Sequence, residues 1–136
     1  MMNRYKITII LILIFAISFI SRAQEQEKQP ETWEIAEKEA DRLEDLLDLE
    51  IWQVFYVDST LKHDFAEMKA ELEKLQQAKV GNSSLYVAVQ DKWMEKIDET
   101  YKRIFTEEQW QVYLKSGAAK MQKQRAKRKA KIEKKK

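Results

Sequence analysis

The sequence contains no cysteine, one histidine, one proline and two glycines among its 136 residues. Without cysteine there are no disulfides and no thiolate chemistry. The lone histidine, His63, is a poor basis for a metal site, which needs several nitrogen, oxygen or sulfur donors held together. The chain also has no glycine-rich phosphate loop, no residue set resembling a catalytic triad and no opposed pair of carboxylates. We therefore expect no enzymatic activity and no cofactor.

The scarcity of glycine and proline leaves few helix breakers, which favours long helices. Three runs place apolar residues at three- and four-residue steps, or at seven residues between Val54 and Leu61, which is the period of one helical face. The runs are Trp33, Ala36, Ala40, Leu43 and Leu47; Val54, Leu61, Phe65, Met68, Leu72 and Leu75; and Tyr86, Val89, Trp93, Ile97, Tyr101 and Ile104. The only strand-like stretch, "LYVAV", is short and has no partner. The sequence predicts an all-α fold.

Local signals indicate where these helices begin and end. Thr32 follows the polar segment that ends at Pro30 and is a candidate N-cap for the first helix. The turn "GNSS" separates the second and third runs: Gly81 suits a left-handed position after a helix, and Ser83 or Ser84 suits an N-cap.

The apolar stripe of the second run has two interpretations. Its members Leu61, Phe65, Met68, Leu72 and Leu75 recur at steps of four, three, four and three residues. Such a stripe usually packs against another helix, either within the core or across a dimer seam. It could instead face unfolded client proteins, with Phe65 and Met68 as adaptable contacts.

The first 23 residues have the pattern of an export signal. Arg4 and Lys6 precede an apolar run over residues 7–20, which is short for a membrane span, and "SRA" offers a cleavage site before Gln24. An uncleaved membrane anchor is the alternative. We expect residues 1–23 to be a cleaved signal peptide, residues 24–31 a flexible lead-in, residues 32–119 an all-helical domain and residues 120–136 a basic tail. The protein would then be exported.

Charge is distributed unevenly along the chain. Residues 24–119 hold 12 basic and 22 acidic residues, whereas residues 120–136 hold ten basic residues and one acidic residue. A run of this kind is usually solvated and partly disordered. Its cations, including Arg125, Lys127, Arg128 and Lys129, could instead dock on another subunit's acidic body, on an anionic membrane surface, on a sensor protein or on acidic clients. Nucleic acid is disfavoured because no aromatic residues are interleaved with the charges.

Residues 105–109, "FTEEQ", predict a helix start at a sharp corner. Thr106 and Gln109 have the spacing of a capping box, in which each side chain satisfies a free amide of the first turn. Glu107 and Glu108 lie where the helix dipole favours negative charge. Phe105 and Trp110 have the spacing of a hydrophobic staple.

A related pentapeptide, "LEIWQ", occupies residues 49–53. The two pentapeptides, with their first and last residues Leu49, Gln53, Phe105 and Gln109, resemble the motif of the LTxxQ family of periplasmic proteins, the Spy/CpxP-like chaperones. The similarity extends from about Ala40 to Met121. Phe105 stands where leucine is usual. Glu50 stands where threonine is usual, so either Asp48 caps the second helix or the first two helices run together with a shallow bend.

The resemblance implies helical hairpins, a kinked C-terminal helix and a curved antiparallel homodimer. Family members include ATP-independent holdases for unfolded proteins and a repressor of an envelope-stress sensor. A dimer also suits the composition, because the full chain has four tryptophans, five tyrosines and five phenylalanines, signal segment included, and a small domain has little core in which to bury such side chains. We expect a periplasmic holdase for unfolded or partly folded envelope proteins; the alternative is an envelope-stress regulator that binds one sensor or membrane partner.

Overall fold

A computed structural model of the protein describes residues 30–135. Over these residues the chain is all-helical, as the sequence predicts, and contains no strand. The helices are α1 (Thr32–Leu47), α2 (Ile51–Gln77), α3 (Ser83–Ile104), α4 (Glu107–Tyr113) and α5 (Ala119–Glu133), and a π-helical segment (Leu114–Ala118) joins α4 to α5. The predicted signal peptide and the lead-in as far as residue 29 lie outside the described residues.

The three longest helices pack side by side. Helices α1 and α2 are joined by three residues and share the most extensive helix–helix contact. Helices α2 and α3 are antiparallel: Glu71 pairs with Lys92 near one end, and Gln53 bonds to Ile104 at the other. Helix α4 contacts α1, and α5 turns back along α3.

The core is small and comes from the predicted helical faces. Its buried apolar residues are Ala36, Ala40, Leu43, Leu47, Leu49, Val57, Leu61, Ile97, Tyr101, Phe105 and Tyr113. The prediction was wrong for Trp33, which begins the first stripe but remains 52% exposed. It lies in the first turn of α1, beyond the reach of the helices that cover Ala36 and Ala40.

The corner between α1 and α2 is a complete break. Asp48 ends α1 in the left-handed conformation, with φ 50°, and α2 begins directly after Glu50. Both sequence-based alternatives were therefore wrong, since Asp48 does not cap α2 and the two helices do not run together. The Glu50 amide donates to Oε1 of Gln53 at 2.9 Å, so the glutamine satisfies an amide at the helix start.

The predicted start of α1 and the predicted end of α2 were displaced by one or two residues. Helix α1 is preceded by Glu31 as its N-cap, and Thr32 is already helical. Lys79 rather than Gly81 adopts the left-handed conformation, with φ 54°. The Lys79 and Val80 amides bond back to Gln76 and Leu75 in the two-bond pattern that closes a helix.

Helix α3 begins with a different cap from either predicted serine. Asn82 is the N-cap, and its Oδ1 accepts from the Ser84 amide at 3.1 Å. Asparagine is at least as good an N-cap as serine, and Asn82 precedes both serines in the sequence, so the helix begins one or two residues earlier than predicted.

The basic segment is a helix and not a loose tail. Residues 119–133 form α5, which is set off from α4 by a kink at Gly117, where φ is 116°. The expectation of a partly disordered run was wrong because several cations of this helix pair with carboxylates of α3.

Candidate functional site

The two pentapeptide motifs meet in space through their glutamines. Gln53 Nε2 donates to Gln109 Oε1 at 2.7 Å, and Gln109 Nε2 donates to Gln53 Oε1 at 3.1 Å. The two residues are 56 positions apart in sequence. We call this pair the glutamine bridge; it ties the α1–α2 corner to the α3–α4 corner.

Each glutamine of the bridge also satisfies backbone groups at the helix ends. Gln109 Oε1 accepts from the Thr106 amide at 2.9 Å, and Thr106 Oγ1 accepts from the Gln109 amide at 3.2 Å, so the predicted capping box is confirmed. Gln53 Nε2 reaches the Ile104 carbonyl at 2.9 Å, and Gln109 Nε2 reaches the Leu47 carbonyl at 3.3 Å. Gln53 is only 2% exposed. The arrangement fixes two corners and leaves no glutamine oxygen aimed at solvent to receive a ligand.

Leu49 and Phe105, which open the two motifs, are both buried. Phe105 stacks on Tyr101, with ring centroids 5.0 Å apart, and Tyr113 meets both rings edge-on. Trp110 packs on Tyr113 at 5.5 Å. The aromatic residues around the second corner therefore form one cluster that holds α3 and α4 together.

Asp98 is a buried carboxylate that the sequence analysis missed. It accepts a hydrogen bond from the Tyr113 hydroxyl at 2.6 Å and pairs with the Arg125 guanidinium of α5. Burial, followed by the bond to Asp98, raises the pKa of Tyr113, which therefore stays a hydrogen-bond donor. In the sequence Asp98 directly follows the apolar residue Ile97, which indicates that Asp98 lies beside the core face of α3.

Two further ion pairs join α5 to α3. The Arg128 guanidinium makes two bonds of 2.7 Å to Asp91, and this pairing raises the Arg128 pKa. Lys129 Nζ lies 3.2 Å from Glu95. Of the four cations singled out from the sequence, only Lys127 has no carboxylate within ion-pairing distance among the described residues.

A cluster of large apolar side chains is exposed at the start of α2. Ile51 is 91% exposed and Phe55 67% exposed, and Trp52 and Tyr56 are about half exposed. We call these four residues the aromatic patch. Tyr56 packs edge-on against both Trp52 and Phe55, and the Trp52 indole donates to Glu50 at 2.7 Å. The patch is therefore an ordered surface on a rigid helix.

The aromatic patch was not predicted from the sequence; the stripe further along α2 was expected to pack in the core or at a dimer seam, or else to face clients. In that stripe, Leu61 is buried in the core and Phe65 packs against it. Met68, Leu72 and Leu75 are half-buried. The run "IWQVFY" could have predicted the patch, because it places large apolar residues on more of the helix surface than one stripe can bury.

Other features of the described residues offer no second site. His63 is exposed, and its Nδ1 lies 2.8 Å from Asp64 Oδ1. No group of three or more metal-binding side chains occurs among residues 30–135. Within the same range no helix has both the length and the apolar character needed to span a bilayer.

Comparison with known proteins returned no matching family model, no matching curated protein and no matching solved structure. The function is therefore argued from the geometry of the chain itself.

Proposed function

We propose that the protein is an ATP-independent holdase that binds unfolded or partly folded proteins in the cell envelope after export. The supporting observation is the aromatic patch, Ile51, Trp52, Phe55 and Tyr56, which stays exposed although the same helix buries Val57 and Leu61. Large contiguous apolar surface is uncommon on soluble proteins and marks places where other molecules bind.

The chemistry of the patch suits unfolded chains better than a small ligand. Four apolar side chains project from two successive turns, and together they offer contact area without an enclosing pocket. Unfolded proteins expose apolar side chains in no fixed order, and apolar burial does not require directional bonding. The Tyr56 hydroxyl adds a polar group that can bond to an extended backbone.

The glutamine bridge supports the resemblance to the LTxxQ family. The two motifs lie at helix starts, and their glutamines bond to each other. A homodimer of the kind seen in that family is part of the proposal, because the eleven buried apolar residues of the core within residues 30–135 leave several large side chains uncovered. Met121 and Ile132 of α5 are among those exposed.

An aggregation assay tests this proposal. Purified residues 24–136 are added while several unrelated denatured proteins are diluted from denaturant, and light scattering is followed. The wild-type protein should delay the aggregation of most of them. The double variant Ile51→Gln, Phe55→Gln should need about tenfold more protein for the same delay, because it loses part of the apolar contact.

The matched control is Leu85→Gln with Val87→Gln, which removes two other exposed apolar side chains at the start of a helix. It should behave like wild type. Equal activity of the patch variant and the control would exclude the patch as the client surface. Failure of the wild-type protein to delay any aggregation would favour the regulatory alternative, a module with one defined partner.

A further inference from the structure

Helix α5 presents a continuous row of lysines to solvent. Lys120, Lys123, Lys127, Lys131 and Lys134 follow one another at steps of three, four, four and three residues. At 3.6 residues per turn they fall within a sector of about 80° and extend for about 21 Å. All five side chains are exposed. We call this row the lysine stripe.

The orientation of the stripe is fixed by ion pairs on the other side of the helix. Arg125 binds Asp98, and Lys129 binds Glu95. Both residues lie roughly half a turn away from the stripe. Arg128 adds its two bonds to Asp91 from an intermediate position. The helix thus uses both of its arginines for contacts within the protein and directs the stripe lysines outward.

We propose that the lysine stripe binds the surface of an anionic phospholipid bilayer. In the part of the chain that the structure describes, none of the five lysines has a carboxylate within ion-pairing distance. Their charge is therefore free to act on an external partner. The five lysines form a straight row of flexible point charges. Such a row can bind a broad, fluid array of lipid phosphates, because neither partner requires a fixed pairing geometry.

The composition of the stripe favours a membrane over a second protein. Protein interfaces usually have an apolar centre and are depleted in lysine, whereas this stripe is flanked on one side by Ala126 and Ala130, which offer no large apolar anchor. Helix α1 carries exposed acids, Glu37, Asp41 and Glu44, that could attract the stripe of a second copy. Isolated exposed ion pairs of that kind add little affinity.

The expected affinity for an anionic bilayer can be estimated from the contributions of the individual lysines. Each lysine close to an anionic bilayer strengthens binding by about fivefold at moderate ionic strength. Five such residues are enough for reversible peripheral attachment. The attraction acts over about 10 Å at 0.1 M salt and only about 3 Å at 1 M, so attachment should disappear at high salt.

Vesicle co-sedimentation tests the proposal with the full mature chain. The wild-type protein should pellet with vesicles containing phosphatidylglycerol at about 0.1 M salt, and should stay in the supernatant at about 1 M salt or with pure phosphatidylcholine vesicles. The triple variant Lys123→Gln, Lys127→Gln, Lys131→Gln should bind anionic vesicles about 100-fold more weakly. Circular dichroism shows whether this variant keeps its helices.

The matched control is Lys69→Gln, Lys74→Gln, Lys102→Gln, which removes the same charge from α2 and α3. It should bind within about fivefold of wild type, so that removing three lysines elsewhere costs no more than removing one stripe lysine. Equal binding of the two triple variants, or equal binding of wild type to both lipids, would overturn the proposal. So would a lipid-free dimer at low salt that only the stripe variant dissociates, because the stripe would then serve a second copy.

Discussion

Tyr101 and Tyr113 lie side by side in the core, but their hydroxyls have different surroundings. The ring centroids are 5.4 Å apart, and burial raises the pKa of both side chains. The Tyr113 hydroxyl donates to Asp98, whereas the Tyr101 hydroxyl is buried with no hydrogen-bond partner among the described residues. A buried polar group without a partner lowers stability.

Removal of each hydroxyl should therefore have opposite effects. We expect Tyr101→Phe to raise the free energy of unfolding by about 1 kcal/mol, because an unsatisfied group disappears. Tyr113→Phe should lower it by about 1–3 kcal/mol, because Asp98 loses its donor. Urea denaturation at neutral pH measures both changes. Destabilisation by Tyr101→Phe would mean that its hydroxyl has a partner in solution.

The same pair sets the response to alkaline pH. Because the tyrosine pKa values are higher in the folded state, the unfolded chain loses these protons first as the pH rises. Stability should thus be retained below about pH 10 and decline above it. Between neutral pH and about pH 10.5, Tyr101→Phe should lose less stability than wild type, since it has one such group fewer.

At the scale of helices, the second corner tests how much local capping contributes. Thr106→Ala removes the acceptor of the Gln109 amide and should cost about 1 kcal/mol, whereas Thr106→Ser keeps the hydroxyl and should be nearly neutral. Thermal or urea denaturation distinguishes the two. Identical stability of the alanine variant and wild type would show that the bond between Gln109 Oε1 and the Thr106 amide is sufficient by itself.

Helix faces could be predicted from the sequence, and helix boundaries could be predicted less well. The period of Ala36, Ala40, Leu43 and Leu47 is a repeated signal, so one atypical residue does not obscure it. A boundary depends on one or two residues. At the α2–α3 turn, backbone bonding placed Lys79 in the conformation that glycine prefers, and no residue pattern marks that choice.

The candidate site was harder to predict because it depends on contacts between distant parts of the chain. The two motifs could be located by their spacing, but the bond between Gln53 and Gln109 follows from packing of four helices. The docking of α5 likewise requires Asp91, Glu95 and Asp98 on one face of α3, which from the sequence look like an ordinary solvated surface.

For the whole molecule, removal of α5 should be more damaging than its composition suggests. A chain ending at Ala118 leaves Asp98 without Arg125, and removing one partner of a buried ion pair typically costs about 3–5 kcal/mol. We expect a lower free energy of unfolding in urea. Adding Asp98→Asn to the truncated chain should restore part of it, because the remaining side chain is neutral.

The complementary result is equally specific. If the truncated chain is as stable as the full chain, the carboxylate of Asp98 must be hydrated once α5 is absent, and α5 would contribute no net stability. In that case the Asp98→Asn substitution should make no difference to the truncated protein.

The glutamine bridge has a consequence for how such a sequence can drift over generations. Replacement of either Gln53 or Gln109 leaves one N–H of the other side-chain amide without its partner, so the two positions are not free to vary one at a time. The pair can be replaced only if both residues change. They can become a new donor and acceptor, or two side chains of similar shape that carry no amide. The residues at positions 53 and 109 should therefore change together among related sequences, although 55 residues separate them.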